Sequence, residues 1–380
     1  GLLLKKLNLL GLDEQAVNWF ESYLSNRSQS VCIDGCLSSF LDVECGVPQG
    51  SVLGPLLYVL FTNDLPDVVH THDDQLTFKE PNMHCDSCGG LVNFVDDATY
   101  TYACKDPAQL SAKLTSQYDK ISSYMASNKL VINADKTHLL VMCTGTPAMN
   151  RLRQDVFLQA GEHIITPTST EKLLGCNIHQ NLKWKEHLQT NKKSMINQLT
   201  SRVNALSKLA VNASFKTRLM AANGAFISIL AYLIPLWGGT EGYLVRALQV
   251  LQNRAARCVT KLGWYTPTRK LLKQCNWLSV KQLIVYHTVL QVHRIVKCGS
   301  PLYLSDRLDS NYFYRTRQAA GGGVRWLGEN AGELSLVLSS FLGQATTMYN
   351  SVPAEIRQST SFPMFKNKLK TWIKTHIDIT

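Results

Sequence analysis

The chain has 380 residues, 45% of them hydrophobic, with a formal net charge of +11 and a pI near 9.1. That length suits two or three domains, and the hydrophobic share excludes wholesale disorder. The basic balance predicts attraction to a polyanion, nucleic acid first and an anionic membrane surface second.

Gly1-Leu2-Leu3-Leu4-Lys5-Lys6 opens inside a periodic apolar pattern rather than on Met, and has no signal-peptide layout, so a fragment or truncated reading frame is expected. Asp13 to Asn26 reads as an amphipathic helix, capped by Asp13, with Ala16, Val17, Phe20, Tyr23 and Leu24 on one face. Gln29 to Ile33 and Ser38 to Cys45 read as strands around a hairpin signal, Asp34-Gly35. Gly46-Val47-Pro48-Gln49-Gly50-Ser51 is a turn, and Pro55 sits early in an apolar helix that runs to about Asn63. His70 to Gly90 is polar and rich in His and Cys, as an insertion would be. Leu91 to Phe94 and Ala98 to Ala103 then flank Asp96-Asp97, which predicts a hairpin with two carboxylates at its tip. A helix is expected from Pro107 to Asn128. Strands are expected at Leu130 to Asn133 and His138 to Met142, split by Ala134-Asp135-Lys136-Thr137. This order of elements is an α+β pattern.

After about residue 145 the character changes. Lys172 to Ile178 is a last strand, and from Trp184 onward the pattern is helical. Ala221 to Trp237 is nearly uncharged, but Asn223, Gly224, Ser228, Pro235 and basic flanks make it a buried core helix rather than a membrane span. Between Lys183 and Lys273 the only acids are Glu186 and Glu241. Across Tyr243 to Leu262, Leu244, Ala247, Leu248, Leu251, Ala255, Cys258, Val259 and Leu262 share one side. Arg246, Arg254, Arg257 and Lys261 share another, which predicts contact with a nucleic-acid backbone. A loop at Gly321-Gly322-Gly323 and a final helix from Ser361 to Ile377 complete the chain.

Adjacent carboxylates at a hairpin tip can approach one cation cluster, because the turn breaks the alternation that would part them. Hard divalent ions such as Mg²⁺ take such oxygen ligands. Phe94-Val95-Asp96-Asp97 also resembles the aromatic-x-Asp-Asp signature of reverse transcriptases. Gly46 to Leu57, Leu130 to Thr137 and Lys172-Leu173-Leu174-Gly175-Cys176 resemble three further motifs of that family, in its order and spacing. The resemblance extends to Val250 to Arg257 and Tyr349 to Pro353, and is strongest to the jockey- and CR1-like non-LTR retrotransposon polymerases. It implies a right-hand palm with partial fingers in residues 1–145, a primer-grip strand and basic helical thumb in 146–264, and a helical C-terminal region in 265–380.

The same resemblance implies the roles. Asp96, with Asp97 beside it, would ligate Mg²⁺ or Mn²⁺. Pro48, Gln49 and Gly50 would lie at the incoming nucleotide and templating base, or form an ordinary turn. Lys136 would neutralise or protonate the leaving pyrophosphate, or be a solvated loop lysine. Leu174 and Gly175 would shape the primer grip. The partners would be an RNA template, a DNA primer and dNTPs. In the family an earlier strand supplies another metal-binding Asp, ahead of the region that resembles Leu3 to Asn18. The chain begins after that strand, so impaired activity is expected, with a non-catalytic RNA- or DNA-binding remnant as the alternative. Val95 stands where the family usually has Ala, and its β-compatibility predicts little effect.

In the insertion, His70, His72, Cys85 and Cys88 have ligand types and spacing that suit Zn²⁺, or are incidental to a loop. Eleven cysteines without a regular framework, in a chain too large to need disulfide staples, predict a reducing intracellular compartment, nuclear or cytoplasmic.

Overall fold

The protein is described by a computed structural model over residues 1–69, 87–104, 109–142, 153–190, 192–305, 308–309, 324–326 and 341–378. These fall into two compact units, one within residues 1–139 and 153–167, the other from 168 onward with 140–142. Helices and strands are mixed, and every sheet among the described residues has only two strands.

The first unit begins with α1 (Leu2–Leu9) and α2 (Glu14–Leu24). As the sequence predicts, Asp13 caps α2 by accepting from the Ala16 N–H at 2.7 Å. The predicted apolar face of α2 is half-buried, and Trp19 stacks on Tyr23 at 5.6 Å. The two expected strands become four: β1 (Arg27–Gln29) pairs with β4 (Leu41–Val43), and β2 (Cys32–Ile33) with β3 (Cys36–Leu37). Arg27 lies opposite Val43 but Cys32 opposite Leu37, so the returning side carries one extra residue, a bulge that interrupts the ladder. Asp34 and Gly35 both have positive φ, 49° and 84°, as a two-residue hairpin turn of this hand requires.

Next come α3 (Leu53–Phe61) and α4 (Leu65–Val69), then the hairpin β5 (Ser87–Phe94) and β6 (Asp97–Cys104), and α5 (Leu110–Ser127). The strand β5 starts at Ser87, so Ser87 to Gly90 belong to it rather than to an insertion. They pair with Thr101 to Cys104 in unbroken register, and backbone hydrogen bonding outweighs the poor strand propensity of Gly89-Gly90. Leu130 to Asn133 is not a strand: it is irregular, and Val131 is 95% exposed with no neighbouring ladder to join. Strand β7 is only Leu139–Leu140; β8 (Leu158–Ala160) pairs with β9 (His163–Ile165), and β10 is Pro167–Thr168.

One polar knot ties α1, α3 and α5 together. The Lys6 ammonium donates to Asp64 at 2.8 and 3.0 Å and to the Phe61 carbonyl at 2.7 Å, and Tyr124 Oη donates to Asp64 Oδ1 at 2.5 Å. Burial alone would push the Asp64 carboxyl up, but the bonds from Lys6 and Tyr124 outweigh it and hold it below its ordinary value. The Tyr124 phenol is pushed up by burial and then by Asp64.

The second unit opens with the hairpin β11 (Thr170–Leu173) and β12 (Cys176–His179), followed by α6 (Met195–Leu209), α7 (Phe215–Ala222), α8 (Ser228–Ala231), α9 (Ile234–Trp237), α10 (Gly242–Thr260), α11 (Thr268–Cys275) and α12 (Val280–Cys298). One continuous apolar core runs from Leu188 to Ile373. The segment Ala221 to Trp237 is buried as expected, but it is not one helix. A π turn at Asn223–Ile227 joins α7 to α8, and Leu233 at φ 54° breaks the chain before Pro235. Ala222, Phe226, Leu230, Ile234 and Trp237 still fall on one buried side. No helix among the described residues is long and apolar enough to cross a membrane.

Ser279 and Gln282 form a capping box at the start of α12. Among the described residues there follow α13 (Leu302–Ser305), α14 (Phe341–Ser351) and α15 (Ala354–Arg357), and then α16 (Phe362–His376), where the sequence places its final helix. The Gln282 amide donates to the Ile377 carbonyl at 2.8 Å, holding the end of α16 to the start of α12.

His293 on α12 is 2% exposed, stacked on Phe365 at 3.5 Å with Tyr349 Oη 3.2 Å from Nδ1. Burial, and then the Lys297 charge, hold its imidazole down to about 4. A folded-state value below the unfolded one favours the neutral ring. This stability is therefore present above about pH 6.5 and lost as pH falls toward 4, by roughly 3 kcal/mol in full. Thermal unfolding of the wild type is expected to drop across that window, and that of His293→Leu to drop less. Equal slopes would show that His293 is not the titrating group.

Candidate active site

The hairpin tip is built by register. Phe94 lies opposite Asp97, so Val95-Asp96 is a two-residue turn and Asp97 is the first residue of β6. Both carboxylates are exposed, and neither has an ion-pair partner among the described residues. The expectation for Val95 is corrected here. It sits not in a β conformation but at φ 56°, where a β-branched residue is strained by about 1–2 kcal/mol. Val95→Asn, which tolerates that region, is expected to stabilise the hairpin by about 1 kcal/mol, seen as slower amide exchange across β5 and β6. Faster exchange in the variant would argue against strain.

The turn before α3 is held by one hydroxyl. Ser51 Oγ donates to the Pro48 carbonyl at 2.8 Å and accepts from the Gly54 N–H at 3.0 Å. Gly50 has φ 79°, a conformation that favours glycine. A Cβ on Gly54 would meet the Pro48 carbonyl and Ser51 Oγ at 3.1 Å each, so the chain closes tightly over the first turn of α3. Gln49 and Gly50 stand exposed at its outer edge.

Burial, and then the negative charge of Asp96, push the Tyr58 phenol on α3 up. Sequence reasoning missed Tyr58. Its only signal is that it is the sole hydroxyl in the apolar run Leu53 to Phe61.

Lys136 ends a short 3₁₀ turn, Ala134–Lys136, capped by Asn133, whose Oδ1 accepts from the Lys136 N–H at 3.3 Å. Its side chain is exposed, and no hydrogen bond or ion pair joins it to Asp96 or Asp97. In the second unit Leu174 and Gly175 form a turn rather than part of a strand: they close the β11–β12 hairpin with φ 45° and 82°. A leucine at positive φ needs outside support. Tyr232 Oη supplies it, donating to the Leu174 carbonyl at 2.5 Å while its ring lies 3.5 Å from where a Gly175 Cβ would be.

On α10 the predicted apolar side is buried at Leu244, Leu248, Leu251, Ala255 and Val259. The four cations differ. Arg246 is exposed and Arg254 half-buried; Arg257 donates to the Trp264 carbonyl at 2.8 Å, and Lys261 to the Val211 carbonyl at 3.3 Å.

Mg²⁺ is commonly held by one or two carboxylates, with waters and substrate phosphates completing its shell. Two exposed, uncompensated carboxylates on consecutive residues of a paired hairpin fit that donor chemistry. No group of three or more His, Cys, Asp or Glu side chains converges among the described residues. His70, His72 and Cys85 lie outside the described residues. Of Cys88 only the backbone is described, paired with Ala103.

Residues 2–200 match the family described as reverse transcriptase (RNA-dependent DNA polymerase), and the chain belongs to that family. Its curated relatives are polymerases of mobile elements. It is 26% identical over 275 residues to the RNA-directed DNA polymerase from mobile element jockey of Drosophila funebris, a match covering 71% of this chain. It is 27% identical over 274 residues to the probable RNA-directed DNA polymerase from transposon BS of Drosophila melanogaster, covering 70%. It is also 23% identical over 284 residues to the probable polymerase from transposon X-element of the same fly, covering 72%. Each match spans 28% of the length of the relative.

Proposed function

We propose that this chain is the catalytic core of an RNA-directed DNA polymerase of a non-LTR retrotransposon, which extends a DNA primer on an RNA template with dNTPs. The observation that carries the reading is the exposed Asp96-Asp97 pair at the tip of a paired hairpin. In the reaction the primer 3′-oxygen bonds to the α-phosphorus as the bond to pyrophosphate breaks. Divalent ions, Mg²⁺ or Mn²⁺, supply Lewis acidity at the attacking and leaving oxygens when bound.

Asp96 and Asp97 hold those ions. The Pro48-Gln49-Gly50 turn lies against the incoming nucleotide and the templating base, where the absent side chain of Gly50 admits close approach. Lys136 meets the charge that develops on pyrophosphate, by neutralising it or giving it a proton. The Leu174-Gly175 turn steadies the primer end. Arg246 and Arg254 contact phosphates, with Arg257 and Lys261 more constrained by their internal bonds. In this reading residues 1–145 supply partial fingers and palm, 146–264 the primer grip and thumb, and 265–380 a helical C-terminal region.

Primer extension with dTTP on poly(rA)–oligo(dT) tests it, using the longest polypeptide that contains these residues. Incorporation is expected. Tight duplex binding with no incorporation would instead establish a non-catalytic binding protein.

A further inference from the structure

Beyond the catalytic hairpin, one surface of the second unit combines features that a folded protein ordinarily avoids. Helix α10 ends at Lys261, at φ 57°, and the chain turns before α11. The Thr266 N–H donates to the Gly263 carbonyl at 3.1 Å, which makes Trp264 and Tyr265 the two corner residues of a β-turn. Both project to solvent: Trp264 is 69% exposed and Tyr265 is 97% exposed.

The turn is anchored at both ends. Arg257 donates to the Trp264 carbonyl at 2.8 Å and lies over the Trp264 ring, 4.9 Å from its centroid. Asn253 donates to Thr268 Oγ1 at 2.9 Å, pinning the start of α11 back onto α10. Two large rings are therefore held out of the core on a fixed support, although a core that buries Trp237 and Trp277 lies in the same unit.

The charge around the turn has one sign. Lys261, Arg269, Lys270 and Lys273 are exposed on its two flanks. From Gly242 to Ser305 the sequence contains no Asp or Glu and 10 Lys or Arg. Exposed rings within a cationic surface are what a single nucleic-acid strand requires: π-faces for bases, cations for the backbone. A duplex keeps its bases stacked on one another and has no use for the rings.

We propose that Trp264 and Tyr265 form a stacking platform for unpaired bases of the RNA template, with Lys261, Arg269 and Lys270 holding its phosphates. The choice of RNA rests on the polymerase reading above. When RNA is copied into DNA the product leaves paired, and the strand that stays unpaired is the template not yet copied.

The test measures binding of labelled oligo(rA), oligo(dA) and an RNA–DNA duplex to the wild-type chain, Tyr265→Ala and Tyr265→Phe, at fixed salt. Tyr265 is almost fully exposed, so its loss spares the fold. Tyr265→Ala is expected to weaken oligo(rA) binding by about 5- to 150-fold, the usual worth of one base stacked on an aromatic ring. Duplex binding should stay within about twofold, and Tyr265→Phe should restore the wild-type affinity for oligo(rA). Unchanged oligo(rA) affinity in Tyr265→Ala, an equal loss on the duplex, or a loss confined to oligo(dA) would each overturn the platform. Primer extension by the longest polypeptide that contains these residues, with and without the substitution, separates the two claims. Wild-type extension with no change in oligo(rA) binding rejects the platform alone. Absence of extension with the expected binding loss rejects the polymerase reading, and with it the assignment to a template strand.

Discussion

Asp96→Asn is expected to lower primer extension by about a thousandfold or more while leaving the affinity for an RNA–DNA duplex nearly unchanged. The amide keeps the size and the hydrogen-bonding oxygen of the side chain but removes the charge that a divalent ion needs. Asp96 is an exposed turn residue without an ion pair among the described residues, so no buried partner there is orphaned and the fold should persist. The loss should therefore fall on kcat and not on duplex binding, the signature of an interaction that matters in the transition state. The Tyr58 phenol offers an independent readout. Relieved of the negative charge beside it, it should titrate at a lower pH in the variant. A variant that retains more than a tenth of wild-type activity would remove Asp96 from the catalytic centre.

The second large effect is on stability. Trp237 is fully buried in the second unit, and its indole N–H donates to the Tyr232 carbonyl at 2.8 Å. Tyr232 in turn bonds the Leu174 carbonyl, so one chain of contacts runs from the core to the turn between β11 and β12. Trp237→Ala would remove the apolar contacts, leave a cavity and free the Tyr232 carbonyl, at a cost of about 3–5 kcal/mol. Chemical denaturation should show it as a lower midpoint with nearly the same slope. Tyr232→Phe should cost far less, about 1 kcal/mol, because it removes one hydrogen bond and keeps the packing. Similar costs for the two substitutions would mean that the core does not carry the load assigned to it.

Much of this was legible in the sequence wherever a residue has one dominant physical use. Asp13 before an apolar-periodic run caps a helix, Asp34-Gly35 makes a two-residue turn, and Asp96-Asp97 between apolar strands sits at a hairpin tip. The sides of α10 follow from its period, and its buried face agrees with expectation at five positions. What could not be read is conformation that ordinary residues adopt against their preference. Val95, Leu174 and Leu233 all have positive φ, and nothing in a Val or a Leu marks that. Each is fixed by its surroundings: the closing pair Phe94 and Asp97 around Val95, the Tyr232 hydroxyl at Leu174, and the following Ile234-Pro235 at Leu233. Long-range polar partners were equally silent. Lys6, Asp64 and Tyr124 are far apart in the chain, and no local pattern joins them. Exposure was silent too, since nothing in the sequence marks that Trp264 and Tyr265 face solvent.

The central claim is that Asp96-Asp97 forms the ion-binding part of a polymerase that copies RNA. It is tested most directly by dTTP incorporation on poly(rA)–oligo(dT), measured in parallel for the longest polypeptide that contains these residues, as wild type and as Asp96→Asn, with Mg²⁺ and with EDTA. Incorporation by the wild type that requires Mg²⁺ and is lost in Asp96→Asn is the expected result. Incorporation that survives EDTA or the substitution, or a wild type that binds the duplex but never extends the primer, would contradict it.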